Sequence, residues 1–147
     1  MRIHPKLAQW FRDYEKAHRT AGNRMTHMLG IPLIMMSSLG MLQLVVLHPG
    51  TVFFPITAAL VAYLVLSALY IYGYPLLGMA MAMTMAGLYY VGASLPLFAN
   101  VALFVIGWVL QFVGHAFYER QSPSFFKNLI HLLVGPLYIL KILLRFK

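Results

Sequence analysis

Cysteine is absent from this chain, which excludes disulfides, haem–thiolate ligation, iron–sulfur clusters and a cysteine nucleophile, and leaves no redox compartment to read from it. Acids are scarce as well: Asp13, Glu15 and Glu119 are the whole set, against eleven Lys and Arg. Charged residues make up 10% of the chain, where a soluble domain carries about a quarter. The deficit is concentrated in one place. Residues 25–118, a stretch of 94, hold no Asp, Glu, Lys or Arg. A fold surrounded by water cannot surface that much chain without charge, so the sequence reads as an integral membrane protein. The net charge of +8 lies wholly outside the block. It is a topology signal and an attraction to anionic headgroups, and nucleic-acid binding is excluded.

What is present fits that reading. Hydrophobic residues are 61% of the 147, and the mean hydropathy is +0.78. A bilayer core about 30 Å thick takes about 20 helical residues per crossing, so the uncharged block holds four crossings with short turns. Breakers at His48-Pro49-Gly50, Gly73-Tyr74-Pro75 and Ser94-Leu95-Pro96 divide it into spans near 28–47, 52–72, 76–94 and 97–118. Six basic residues precede the first span and five follow the fourth, which puts both termini on the cytoplasmic face. The expected architecture is all-α: a single membrane domain over 1–147, with four transmembrane helices over 28–118 and interfacial helices at both termini. The apolar run begins too far in, behind Asp13 and Glu15, for a cleavable signal. A bacterial cytoplasmic membrane is favoured over the endoplasmic reticulum by the short loops and the lack of a targeting extension.

The charged ends have their own pattern. Within the N-terminal segment 1–24, residues 5–20 place Leu7, Trp10, Phe11 and Tyr14 at helical spacing, with His18 continuing that face, as in a helix lying on the headgroups. In 122–147, Ser122 or Ser124 can cap a helix with Pro123 near its start. Phe125, Phe126, Leu129, Ile130, Leu132 and Leu133 form an apolar surface, and a break is expected at Gly135-Pro136. An interfacial or re-entrant pair of helices is expected there.

Candidate chemistry rests on histidine. The topology places His18 and His27 just before the first span, and His115 near the end of the fourth, on the same face; His131 follows on the C-terminal segment. Four histidines from three segments thus meet at one membrane surface, while His48 falls on the far side and His4 at the start. Trp108, Gln111, His115 and Glu119, spaced by 3, 4 and 4, share one helix face. A face carrying Gln, His and Glu at membrane depth should turn inward. A single interfacial histidine is ordinarily satisfied by headgroup, water or carbonyl, and Glu119 has an ordinary explanation in pairing with Arg120 or Lys127. Convergence of four histidines, with no other ionisable chemistry available, points instead to a metal. Imidazoles with at most one carboxylate suit Fe(II), Zn(II) or Mn(II), and an open position favours non-haem iron with O2. Asn23 is either a cap or a second-sphere donor.

Other features read as structural. Met79, Met81, Met83 and Met85 alternate, so they do not share a helix face and are packing and lipid-facing residues rather than a copper site. Gly78, Ala82 and Ala86 form a small-residue stripe for close helix contact. Tyr70, Tyr72 and Tyr74 read as an interfacial aromatic belt. The spans carry no Lys or Arg and no chain of acids, which argues against a transporter or channel.

Three stretches carry a resemblance: His18-Arg-Thr-Ala-Gly-Asn23-Arg-Met-Thr-His27-Met-Leu-Gly30-Ile-Pro32, then Trp108 through Gln111, Gly114-His115, Glu119 and Pro123, then Asn128 through Gly135-Pro136-Leu137. With the uncharged block between them, they resemble the Mpo1-like family of small multi-pass membrane proteins over essentially the whole chain. The resemblance implies an Fe(II)-dependent dioxygenase that shortens 2-hydroxy fatty acids by one carbon, with O2 as co-substrate. It carries the family's motif histidines onto His18, His27 and His115, with His131 as a fourth, and puts Glu119 where the family has its acid, as a ligand or behind the ligands. Relatives often carry an acid shortly after the Gly-Pro pair, where this chain has Lys141. A 2-hydroxy acid can chelate a metal through carboxylate and hydroxyl, and Arg19, Arg24 and Arg120 are candidate partners for its head group. The other readings are a metal-free scaffold or lipid-binding protein, and a different metalloenzyme such as a lipid hydroxylase or zinc hydrolase.

Overall fold

The structure, a computed structural model, describes residues 3–50, 55–121 and 129–146. Among these the chain is all-α apart from one short hairpin. The helices are α1 (Pro5–Ala17), α2 (Ala21–Leu42), α3 (Ala58–Gly73), α4 (Pro75–Ser94), α5 (Leu97–Val113) and α6 (Ile130–Leu143), and a π-helical segment, Gly114–Glu119, prolongs α5. Strands β1 (Val46–His48) and β2 (Ile56–Thr57) pair antiparallel between α2 and α3.

The breaks fall where the prolines put them. Tyr74 alone separates α3 from α4; it sits extended at φ −155°, the conformation that the following Pro75 favours, and Pro75 opens α4. Pro96 takes the N-cap position of α5. The first span differs from expectation at its start. Thr20 is extended, and its hydroxyl accepts from the Asn23 N–H at 3.3 Å. This cap starts α2 at Ala21, so Asn23 and His27 lie inside the helix rather than before it.

Helices α2 to α5 run up and down. At one end the turn between α3 and α4 meets α1, where the His4 N–H donates to the Gly73 carbonyl at 3.0 Å. At the other end the Gln43 side-chain oxygen accepts from the Thr57 hydroxyl at 2.9 Å and from the Tyr89 hydroxyl, and the Asn100 amide donates to the Gly92 carbonyl at 2.9 Å. Three helices, Ala21–Leu42, Pro75–Ser94 and Leu97–Glu119, are long and apolar enough to cross a bilayer. Their outward faces are apolar, with Met83 78%, Val105 53% and Val109 52% exposed, so lipid rather than water is their solvent. The chain is a membrane protein. The second expected span, near 52–72, is α3, which has 16 residues. At about 24 Å it is short of a hydrocarbon core.

The termini pack on the bundle. Leu7, Phe11, Tyr14 and His18 are all buried, which is the face expected of α1. That face is covered by protein, not only by headgroups, because Leu7, Phe11 and Tyr14 join Val134, Leu137 and Tyr138 of α6 in one core cluster. The tyrosine belt is corrected: Tyr70 and Tyr74 are 7% and 8% exposed and belong to this core, and Tyr72 alone faces out at 78%. The expected break at Gly135-Pro136 is also corrected. Helix α6 continues through it with Val134–Ile139 buried, and the Tyr70 hydroxyl donates to the Leu133 carbonyl at 2.8 Å in the turn that Pro136 weakens. The expected caps Ser122 and Ser124 and the apolar Phe125 and Phe126 lie outside the described residues, as does Lys127. Lys141, where relatives often have an acid, sits over the Phe11 ring at 5.6 Å.

The methionine run sorts as its spacing requires. Met81 and Met85 are 2% and 0% exposed, while Met79 and Met83 face outward. Within the small-residue stripe, Gly78 packs on the backbone of Tyr70 and Ile71, but Ala86 is exposed. Another glycine carries a closer contact: a Cβ on Gly92 would collide with the Met36 carbonyl of α2, whereas one on Gly87 would meet nothing within 4 Å. The same substitution therefore has opposite expected signs at the two positions. Gly92→Ala should destabilise by about 1–3 kcal/mol through overpacking against backbone, and Gly87→Ala should be neutral or stabilising by up to ~1 kcal/mol through helix propensity. Thermal unfolding in one detergent compares them.

Candidate metal centre

The site grows from the seam between α2 and α5. Small residues let these helices touch: a Cβ on Gly107 would lie 2.9 Å from the Gly30 carbonyl, and one on Gly30 would collide with Gln111 Nε2. Antiparallel rungs continue along the seam. Gln111 lies over Gly30, His115 faces His27, and Glu119 reaches Asn23 and Thr20. The 3-4-4 spacing of the fourth span thus lays its polar residues along α2, with Trp108 turned into a cavity beside them.

His18 enters this seam from the end of α1. Its ring centroid is 4.5 Å from that of His27 and 4.8 Å from that of His115, and His27 and His115 are 4.8 Å apart, all edge to face. One nitrogen from each lies within 4.8 Å of the others, and all three residues are buried. Backbone carbonyls fix two of the tautomers. His18 Nδ1 is 2.7 Å from the Tyr14 carbonyl, and His27 Nδ1 is 2.9 Å from the Asn23 carbonyl. A carbonyl only accepts, so both Nδ1 atoms carry hydrogen and Nε2 keeps the lone pair, the arrangement of a metal-ligating histidine with its supporting acceptor. Burial pushes the His18 imidazole down to about 4, against the pull of the Tyr14 carbonyl, so it is neutral and ready to ligate at neutral pH. The donor set is all imidazole, without thiolate, and this group could hold a transition-metal ion.

A family model described as "2-hydroxy-palmitic acid dioxygenase Mpo1-like" matches residues 4–146. The chain belongs to this family. Among curated proteins it is similar to the "2-hydroxy-palmitic acid dioxygenase MPO1" of Saccharomyces cerevisiae, 27% identical over 128 residues, which is 86% of this chain and 73% of the yeast protein. No solved structure matches it.

The remaining candidate residues of this Mpo1-like chain take distinct places. His131, on α6, lines a cavity of about 190 Å³ with the three clustered histidines, but stands outside their close group; both of its ring nitrogens are buried without a hydrogen-bond partner among the described residues. Glu119 is not in the close group either. Its Oε1 accepts from the Thr20 N–H at 2.7 Å, the Thr20 hydroxyl at 2.9 Å and Asn23 Nδ2 at 3.3 Å, and so closes the N-terminus of α2. Asn23, 0% exposed, is both partner to Glu119 and carbonyl support for His27. Gln111 is buried and lines the cavity.

The arginines separate. Arg24 borders a second cavity of about 310 Å³, shared with His18, His27, Met28 and Tyr138. Arg19 is exposed and its Nε donates to the Lys16 carbonyl at 3.0 Å. Arg120 is exposed, in the left-handed conformation at φ 51°, and lines neither cavity. His4 and His48 stay out of the cluster; the exposed His48 ring accepts from the Gly50 N–H at 3.1 Å. Tyr14 was legible only as apolar surface. It borders both cavities, and its ring stacks on His18 at 3.8 Å and 13°. The signal was its i, i+4 relation to His18.

Proposed function

We propose that this chain is an Fe(II)-dependent dioxygenase of 2-hydroxy fatty acids, which it shortens by one carbon at the cytoplasmic face of its membrane. The observation that carries the reading is the buried triad His18, His27 and His115 at the head of an apolar cavity. The family membership supports the reaction class. His18, His27 and His115 would hold the iron, with His131 as a fourth ligand. Bound iron supplies redox chemistry toward O2 and a Lewis-acid position for a chelating carboxylate and hydroxyl. The chain does the rest. Carbonyls of Tyr14 and Asn23 aim two of the imidazoles. Ile31, Ile34 and Met35 line the cavity beyond His27, toward the middle of α2, so they keep water out and accept the acyl chain.

The membrane arrangement belongs to the same proposal. Helices α2 to α5 alternate in direction, so α3 crosses with the help of the hairpin before it, and the even number brings both basic ends to the cytoplasmic side. The second reading is a zinc hydrolase, because three imidazoles without a carboxylate are also a catalytic zinc set. Metal analysis of protein purified from membranes, paired with oxygen uptake on 2-hydroxypalmitate and on palmitate, separates the readings. About one iron per chain and uptake that requires the 2-hydroxyl are expected. Stoichiometric zinc without oxygen uptake would establish the hydrolase instead, and no bound metal would leave a scaffold.

A further inference from the structure

Besides the His131 ring, two hydrogen-bond donors of the histidine-lined cavity are buried and have no hydrogen-bond partner among the described residues. Tyr14, 3% exposed, has a hydroxyl without a partner, and Gln111, 5% exposed, has an unpartnered Nε2. Both line the same 190 Å³ cavity, Tyr14 from α1 and Gln111 from α5. Each stands against a glycine. A Cβ on Gly135 would come within 3.2 Å of the Tyr14 hydroxyl oxygen, and a Cβ on Gly30 would collide with Gln111 Nε2. The fold leaves room for these groups and, among the described residues, gives them no hydrogen-bond partner. An unsatisfied buried donor costs about 1–3 kcal/mol, so an occupant with oxygen acceptors recovers what an apolar occupant cannot.

We propose that the Tyr14 hydroxyl and the Gln111 amide form a head-group subsite, donating hydrogen bonds to oxygens of the fatty acid while its chain lies against Ile31, Ile34 and Met35. The subsite rests on the function proposed above and adds the direction in which substrate lies: head at the histidines, tail toward the bundle centre. Both are positioning residues. Tyr14 has a second duty in stacking on His18, but that duty belongs to its ring and its carbonyl. Tyr14→Phe keeps both and removes only the hydroxyl, and Gln111→Leu similarly removes only polarity.

The test is equilibrium binding of 2-hydroxypalmitate and palmitate to the purified, metal-containing protein without oxygen, with metal content measured in parallel. Tyr14→Phe and Gln111→Leu should each keep wild-type metal and weaken 2-hydroxypalmitate binding about tenfold, ~1.4 kcal/mol. In turnover, KM should rise more than kcat falls. A loss confined to 2-hydroxypalmitate assigns the bond to the hydroxyl, and an equal loss with palmitate assigns it to the carboxylate; both support the subsite. Unchanged affinity in both variants overturns it, as does a loss seen only in Arg24→Gln, which would put the head in the second cavity. Where wild-type protein holds iron and turns over substrate, such a result removes the subsite alone. Wild-type protein that binds neither metal nor acid removes the proposed function with it.

Discussion

Alanine at His27 is expected to strip the protein of its metal and to lower turnover by about three orders of magnitude, ~4 kcal/mol of transition-state stabilisation. Two imidazoles of the close group would remain beside the more distant His131, too few within reach of one ion to hold a transition metal against water and detergent. His115→Ala should behave alike, since each of the three rings lies within 4.8 Å of the other two. Neither variant should unfold, because α2 and α5 are joined by glycine contacts at Gly30 and Gly107 that do not involve either ring. His131→Ala should retain part of the metal, because His131 shares the cavity but not the close group. His48→Ala, at the far end of the bundle, should match wild type. Metal per chain, oxygen uptake and far-ultraviolet circular dichroism report the three properties separately. Full metal in His27→Ala would refute the assignment of the centre.

Much of this site was legible because membrane topology limits the choices. A block without charge leaves the acids and bases to its two ends, and the side chains near those ends that can hold a metal are histidines and three acids. Spacing then did what spacing can: Gln111, His115 and Glu119 do share a seam, and the methionines divide into inward and outward pairs. The failures also have a common cause. Tyr70 and Tyr74 looked interfacial by position, and Gly135-Pro136 looked like a break by composition. Both judgements treated α1 and α6 as lying on lipid, whereas the two helices pack on each other and on the turn between α3 and α4. Tertiary contact supplied the Leu133 carbonyl with a Tyr70 donor, and with it a reason for α6 to continue. Tyr14 was missed for the same reason, as a buried hydroxyl facing a cavity and a lipid-facing ring have the same periodicity.

Glu119 separates a ligand from a brace. Spacing from His115 made it a candidate for the metal, yet its Oε1 accepts three hydrogen bonds from Thr20 and Asn23. Those bonds place a carboxylate at the N-terminus of α2, where the helix dipole and free N–H groups favour it. They also fix Asn23, whose carbonyl orients His27. A brace of this kind acts on the metal indirectly, and outer-sphere partners are worth about 10–100-fold in metal affinity. Glu119→Gln keeps an acceptor oxygen in place and is expected to retain metal and most turnover. Glu119→Ala leaves the Thr20 and Asn23 donors to water, and should weaken metal binding by about 10–100-fold and lower stability by roughly 1–3 kcal/mol. Were Glu119 a ligand, the two variants would lose metal together, and as completely as His27→Ala. Iron titration of the metal-free Gln and Ala forms therefore decides its role, and a wild-type affinity in Glu119→Gln is the outcome that the hydrogen bonds to Thr20 and Asn23 require.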